Sequence, residues 1–134
     1  MTERKVPAWV TYDQVIALHS RQLRRFGGAL GLRDEGMLRL ALERPVNTWH
    51  YEQADLAELA AGYAFGIAKN RAFVDGNKRA AFMTMVIFLR KNGIQLAPDP
   101  AHATTMTISI AAGEVSEKSL ARWIRDNWPR NEKR

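Results

Sequence analysis

Apolar residues along the chain recur three and four positions apart, which is the spacing of an α-helix, and strand-like alternation is nearly absent. Thr11 and Gln14 form the pattern of a capping box and predict a first helix that ends at Gly27-Gly28. Asp34 is expected to cap a shorter helix that Pro45 stops, with a loop from Pro45 to position 54.

Four further helices are predicted from capping residues and apolar spacing. They are one capped by Asp55 and ending near Lys69, one from Asn77 to about Asn92, one opened by Asp99 and Pro100 and closed at Gly113, and one capped by Ser116. The pattern therefore predicts an all-α fold, a compact bundle of about six helices. We expect a single domain over residues 1–128 and a flexible polar C-terminal tail over residues 129–134.

Composition limits the classes of partner. The 134 residues carry 20 Lys plus Arg and 14 Asp plus Glu, a formal net charge of +6 that favours an anionic partner. With no cysteine, disulfide scaffolds, zinc ribbons and thiol nucleophiles are excluded. The N-terminus shows no secretory signal, and the longest apolar run, Ala80 to Leu89, is shorter than the ~20 residues that span a bilayer. We therefore expect a cytoplasmic protein with no membrane partner.

The segment from Asn70 to Arg79 departs from the ordinary pattern of a buried face and a solvated face. A helix start presents unpaired N–H groups, Gly76 allows close approach, and Lys78 adds positive charge where the helix dipole disfavours it. Asp75 could supply one oxygen ligand to Mg²⁺. From the residues alone, a phosphate site and an ordinary surface turn explain the segment equally well. No Walker or Rossmann glycine pattern is present.

At these residues the sequence resembles the Fic/Doc family. The run Arg71-Ala-Phe-Val-Asp-Gly-Asn-Lys-Arg79 is similar to that family's shorter, Doc-type signature, His-x-Phe-x-[Asp/Asn]-[Gly/Ala]-Asn-Lys-Arg. The helix ending at Gly-Gly, Tyr51-Glu52, and the runs at 88–93 and 111–116 extend the resemblance over nearly the whole chain.

The resemblance implies the toxin of a toxin–antitoxin pair that uses ATP and Mg²⁺. Most Fic proteins transfer AMP to a hydroxyl of a target protein, whereas Doc toxins transfer the terminal phosphate to a threonine of elongation factor Tu and so arrest translation. The implied catalytic residues are Arg71, Asp75, Lys78 and Arg79, the implied phosphate-binding residues are Gly76, Asn77, Lys78 and Arg79, and the implied metal ligand is Asp75. Phe73 would anchor the loop in the core, and a Phd-type antitoxin would inhibit the toxin by folding a disordered tail onto it.

Position 71 departs from the family pattern. The family's histidine there is the general base, whereas the guanidinium of Arg71 is already protonated at neutral pH and cannot accept that proton. Nothing in the sequence places His19, His50 or His102 at the loop, and His50 is the only one predicted to lie in a loop. Three explanations stay open: a selected or engineered replacement, a natural inactive member that still binds nucleotide, or altered chemistry in which Arg71 stabilises phosphoryl charge.

Two further questions concern regulation and rival functions. The segment from Thr48 to Glu52 approaches the internal inhibitory pattern of many Fic proteins, but Gln53 breaks it, and we interpret the segment as the start of a core helix region. A basic nucleic-acid-binding domain is the less favoured alternative, since its arginines and lysines are scattered. Those residues are Arg21, Arg24, Arg25, Arg122, Arg125, Arg130, Lys133 and Arg134. A non-catalytic antitoxin-binding scaffold is the third possibility.

Overall fold

The computed structural model describes residues 5–96 and 100–129 and contains six α-helices in that part of the chain. They are α1 (Tyr12–Phe26), α2 (Glu35–Tyr51), α3 (Leu56–Asn70), α4 (Asn77–Lys91), α5 (Pro100–Ala111) and α6 (Glu117–Asp126). Within those described ranges there is no strand, only an isolated antiparallel bridge between Leu32 and Phe73. The predicted all-α fold of about six helices is confirmed. None of the described helices is long and apolar enough to cross a membrane.

The local capping signals identify most helix boundaries correctly. The Thr11 hydroxyl accepts the Gln14 N–H while the Gln14 side chain accepts the Thr11 N–H, so both halves of the capping box are present at the start of α1. Helix α1 ends at Gly27, where φ is +80° and the N–H donates to the Leu23 carbonyl. Caps at Asp34, Asp55 and Ser116 are also confirmed.

The predicted end of α2 at Pro45 is wrong. Helix α2 continues through Pro45 to Tyr51, so the predicted loop from Pro45 to position 54 is helical over most of its length. Pro45 is buried, and Gly62 of α3 lies close enough that an added Cβ would be 3.8 Å from the Pro45 Cβ. Packing against α3 thus holds the helix together although proline cannot donate its backbone hydrogen bond.

This longer α2 corrects two further expectations. His50 lies in the last turn of α2 and not in a loop. The segment from Thr48 to Glu52 is the end of α2 and not the start of a core helix region, because the Glu52 N–H donates to the Thr48 carbonyl and closes the helix.

Helix α3 forms the centre of the molecule and packs against α2, α4 and α6. Tyr63 and Ile67 of α3 are almost completely buried, and Gly66 lets the backbone of α2 approach at Ala41. The loop between α3 and α4 therefore joins two helices that are fixed in the core. The predicted Asp99 cap of α5 and residues 130–134 of the predicted tail lie outside the described residues.

Candidate phosphate-binding cleft

The loop between α3 and α4 begins with an unusual backbone at Arg71. This residue is in the left-handed region, with φ 46° and ψ 48°, and it alone among the described non-glycine residues has a positive φ. The Arg33 guanidinium donates to the Arg71 carbonyl, and the backbone N–H groups of Arg33 and Asp34 donate to the Ala72 carbonyl at 2.7 and 3.0 Å. The segment before α2 therefore fixes the first turn of the loop.

Phe73 and Asn77 fix the middle of the loop. Phe73 is only 2% exposed, which confirms its predicted burial in the core. The Asn77 side-chain Oδ1 accepts the Phe73 N–H at 3.1 Å, and its Nδ2 donates to the Phe73 carbonyl at 3.0 Å. The amide of Asn77 is thus bound to the loop's own backbone, so Asn77 can serve an anion through its backbone N–H more directly than through its side chain.

Helix α1 supplies two buried polar side chains behind the loop. The His19 ring stacks on Phe73 with centroids 3.7 Å apart, and its Nε2 lies 2.7 Å from the Asp75 carbonyl. Gln22 Nε2 donates to the Gly76 carbonyl at 3.2 Å. Sequence reasoning missed both contacts. The sequence did contain one indication of them: His19 and Gln22 lie on the same face of α1 as the buried Val15, and a buried polar side chain needs a hydrogen-bond partner.

The Asp75 carboxylate lies at the exposed edge of the loop. Its Oδ1 accepts the Gly76 N–H at 2.8 Å, and its Oδ2 lies 3.4 Å from the Ala29 N–H. Gly28, with φ +125°, leaves room for it, because a Cβ there would be 2.9 Å from Asp75 Oδ2. No group of three or more His, Asp or Glu side chains in the described chain could hold a metal. Asp75 could therefore contribute a single ligand to Mg²⁺, which commonly takes its others from phosphates and water.

All six predicted site residues line one open cleft of about 960 Å³. Its walls are the loop, the first turn of α4 and one face of α5, where Thr107 and Ile108 lie. The six residues are Arg71, Asp75, Gly76, Asn77, Lys78 and Arg79. The Arg79 guanidinium lies over the Phe26 ring, with its carbon 4.2 Å from the ring centroid. The structure thus brings together every residue that the sequence had placed at the site.

The cleft carries positive charge that the described residues do not neutralise. Arg71, Lys78 and Arg79 are exposed, and none forms an ion pair with a described carboxylate. At the start of α4, the N-cap Gly76 is in the left-handed region with φ +78° and provides no side-chain cap. The backbone N–H groups of residues 77–79 have no acceptor among the described residues, and the first N–H of α4 that is bonded belongs to Ala80. An anion in the cleft would satisfy both features.

The segment that approaches the inhibitory pattern lies elsewhere. Thr48 and Glu52 line a second cleft, of about 520 Å³, together with Glu58 and Glu117. Neither residue lines the cleft that holds Lys78 and Arg79. The Thr48 hydroxyl donates to the Arg44 carbonyl within α2. The segment therefore belongs to the end of α2, where the Glu52 N–H donates to the Thr48 carbonyl, and neither Thr48 nor Glu52 lies at the candidate phosphate-binding cleft.

Comparison with known proteins identifies the class. The sequence model of the Fic/DOC family matches residues 9–89, which include α1 to α3, the whole loop and α4 as far as Leu89. The chain therefore belongs to the Fic/Doc family.

Two relatives specify the branch of the family. The chain is 35% identical over 117 residues to the protein kinase Doc of Escherichia phage P1, which covers 87% of this chain and 92% of that protein. It is 45% identical over 76 residues to the toxin Doc of Mycolicibacterium smegmatis, covering 55% of this chain and 58% of that protein. Together with the Doc-type form of the loop, these similarities make the chain a Doc-type member of the family.

Proposed function

We propose that this protein is a Doc-like toxin that binds ATP with Mg²⁺ in the cleft at the start of α4. Its family reaction would be transfer of the terminal phosphate to a threonine of elongation factor Tu in the cytoplasm, and a Phd-type antitoxin would control it. Arg71 leaves this chain inactive or impaired in that reaction. The observation that carries the proposal is that three cations with no carboxylate partner and three helix N–H groups with no acceptor within residues 5–96 and 100–129 meet in one cleft.

The first turn of α4 would bind the phosphates of the nucleotide. Lys78 and Arg79 place full charges beside N–H groups that already form the positive end of the helix dipole. Without an anion this arrangement is unfavourable, because like charges repel and the dipole disfavours cations at this end. A bound polyphosphate would attract both the two side-chain cations and the positive end of the helix dipole, and the backbone N–H groups would donate hydrogen bonds of defined direction to it.

Asp75 fits the role of a single carboxylate ligand to Mg²⁺. It lines the same cleft and is held by the Gly76 N–H, so one face of the carboxylate is fixed while the side chain stays exposed. Bound Mg²⁺ would neutralise phosphate charge as it develops during transfer. The work of Asp75 would be to hold the phosphates in one pose, and that of Lys78 and Arg79 to stabilise charge on the transferred group.

The proton acceptor is the missing part. Deprotonation of an attacking threonine hydroxyl needs a group that titrates near neutral pH, and the guanidinium of Arg71 stays protonated. His19 cannot replace it by simple rotation, because its ring is buried against Phe73 and its Nε2 contacts the Asp75 carbonyl. The left-handed backbone at position 71 is one that histidine adopts more readily than most residues. A histidine there would therefore fit the existing loop.

The test compares the chain as given with Arg71→His. Each protein is incubated with elongation factor Tu, Mg²⁺ and ATP labelled either on the terminal phosphate or on the α-phosphate. We expect label on elongation factor Tu from the terminal phosphate only, in the Arg71→His reaction, and at least tenfold less with the chain as given.

A matched control is Arg71→Gln, which removes the positive charge without providing a base. If Arg71→Gln transferred phosphate as well as Arg71→His, the missing base would not explain the difference. Label from the α-phosphate would instead assign the protein to AMP transfer. No label from either nucleotide with Arg71→His would contradict the proposed reaction.

A further inference from the structure

His19 and Gln22 of α1 both contact the loop between α3 and α4. Both are almost completely buried, at 4% and 6% exposed, and both lie on α1 three positions apart. Their polar contacts are with backbone carbonyls of the loop, those of Asp75 and Gly76. Neither side chain lines the cleft, so neither can touch a bound nucleotide there.

These contacts fix the orientation of two successive peptide groups. In a trans peptide the C=O and N–H groups point in opposite directions, so a donor that holds the carbonyl also determines where the N–H of the next residue points. His19 Nε2, 2.7 Å from the Asp75 carbonyl, supports the direction of the Gly76 N–H, which donates to the Asp75 carboxylate at 2.8 Å. Gln22 Nε2, 3.2 Å from the Gly76 carbonyl, shares this acceptor with the Ala80 N–H at 3.0 Å, and the two donors together fix the direction of the Asn77 N–H.

The surrounding packing supports a positioning role. The His19 ring is stacked nearly parallel on Phe73, at an interplanar angle of 11°, so its plane cannot rotate freely. At Gly76 an added Cβ would be 3.0 Å from Gln22 Nε2 and 3.3 Å from His19 Nε2, so the loop lies directly against both donors. Gln22 Oε1 is buried without a hydrogen-bond partner among the described residues. A buried amide that leaves its acceptor unsatisfied is costly, and such a cost is expected where function requires the donor.

We propose that His19 and Gln22 are positioning residues that keep the carbonyls of Asp75 and Gly76 directed away from the cleft, so that the Gly76 N–H holds the Asp75 carboxylate and the Asn77 N–H stays available to phosphate. If either peptide rotated, a carbonyl oxygen would face the anion and repel it. The inference rests on the proposed nucleotide binding and adds two residues that act through the backbone. It gives His19 a task that does not involve proton transfer to substrate.

The experiment measures binding of Mg²⁺–ATP and of inorganic tripolyphosphate by isothermal titration calorimetry. His19→Phe keeps a ring that can stack on Phe73 but removes the donor, and Gln22→Met keeps the volume but removes the donor. Loss of one orienting hydrogen bond predicts about tenfold weaker binding of both ligands for each variant. His19→Gln, which restores a donor without the ring, should recover part of the affinity.

Val15→Ala is the control for general loss of stability. Val15 is buried on the same helix but contributes to the hydrophobic core, so its truncation should lower the free energy of unfolding and leave affinity unchanged. Amide chemical shifts of the ligand-free proteins provide a second measurement, which does not depend on ligand binding. In ¹⁵N–¹H spectra of the free proteins, the shifts caused by His19→Phe should be largest at Gly76 and those caused by Gln22→Met at Asn77.

The outcomes separate the two proposals. If the unmodified chain binds both ligands and the two variants bind them equally well, the positioning role is wrong and the proposed function stands. If the unmodified chain binds neither ligand, the proposed function fails and the positioning role fails with it. If Val15→Ala weakens binding as much as His19→Phe does, the effect is one of stability and the positioning role is again wrong.

Discussion

The side chain of Asn77 gives a prediction whose magnitude follows directly from the structure. Its amide makes two hydrogen bonds to the backbone of Phe73, at 3.1 Å and 3.0 Å, and Phe73 is almost completely buried. Asn77→Ala removes both bonds and leaves a backbone N–H and C=O without those partners. Each bond contributes about 1 kcal/mol, and an unsatisfied buried group can cost about 1–3 kcal/mol.

Two effects partly offset this loss. Alanine is a better helix former than asparagine by about 0.5 kcal/mol, and water can reach part of the loop because Asn77 is only half-buried. We therefore expect Asn77→Ala to lower the free energy of unfolding by about 2 kcal/mol. Urea denaturation followed by tryptophan fluorescence and by circular dichroism measures this change, and the denaturant slope should stay constant.

Lys78→Ala provides the matched control in the next position of the same helix. Lys78 is exposed and has no ion-pair partner in the described part of the chain, so its loss should change stability by less than about 0.5 kcal/mol while weakening nucleotide binding. A loss below about 0.5 kcal/mol for Asn77→Ala would refute the conclusion that this amide fixes the loop. An equal loss for both variants would show that the measured effect is not specific to the Phe73 contacts.

Three other predictions concern stability. Arg71→Gly should raise the free energy of unfolding by roughly 0.5–1 kcal/mol, because glycine adopts the left-handed backbone without strain; thermal unfolding that shows a decrease would contradict this. Gly62→Ala should stabilise α3 by up to about 1 kcal/mol in urea, whereas Gly66→Ala should not, because its Cβ would lie 3.3 Å from Ala41. Burial raises the pKa of Tyr63 from 10.0 to about 12, so the folded chain holds the phenol proton more tightly than the unfolded chain. The resulting stabilisation of the folded chain is complete below pH 10 and is lost as the pH rises through 12, a total of about 2–3 kcal/mol. Urea denaturation at a series of pH values should show this fall in the free energy of unfolding for the unmodified chain and should not show it for Tyr63→Phe.

Helix boundaries could be predicted from the sequence wherever the signal was local. The capping box at Thr11, the cap at Asp55 and the glycine at the end of α1 each act within a few residues, so spacing alone identifies them. The prediction that α2 ends at Pro45 was wrong because the decisive contact is not local. Its effect on the helix depends on packing against Gly62, a residue in another helix, and the sequence does not show which residues meet.

The same distinction applies to the cleft. Asp75, Gly76 and Lys78 could be placed together from the sequence because contiguous residues build a helix start. The contacts from α1 could not be assigned, since His19 and Asp75 are 56 positions apart and Gln22 and Gly76 are 54 apart. The sequence showed polar residues on an apolar helix face, and only the packing of α1 identifies their partners.

The most direct test of the account is calorimetric titration of the unmodified chain with Mg²⁺–ATP, beside a variant that carries both Lys78→Gln and Arg79→Gln. The account predicts that the unmodified chain binds one nucleotide although Arg71 cannot act as a base, and that the double variant loses at least tenfold in affinity. Absence of binding by the unmodified chain, or equal affinity in the double variant, would contradict the claim that this cleft binds polyphosphate.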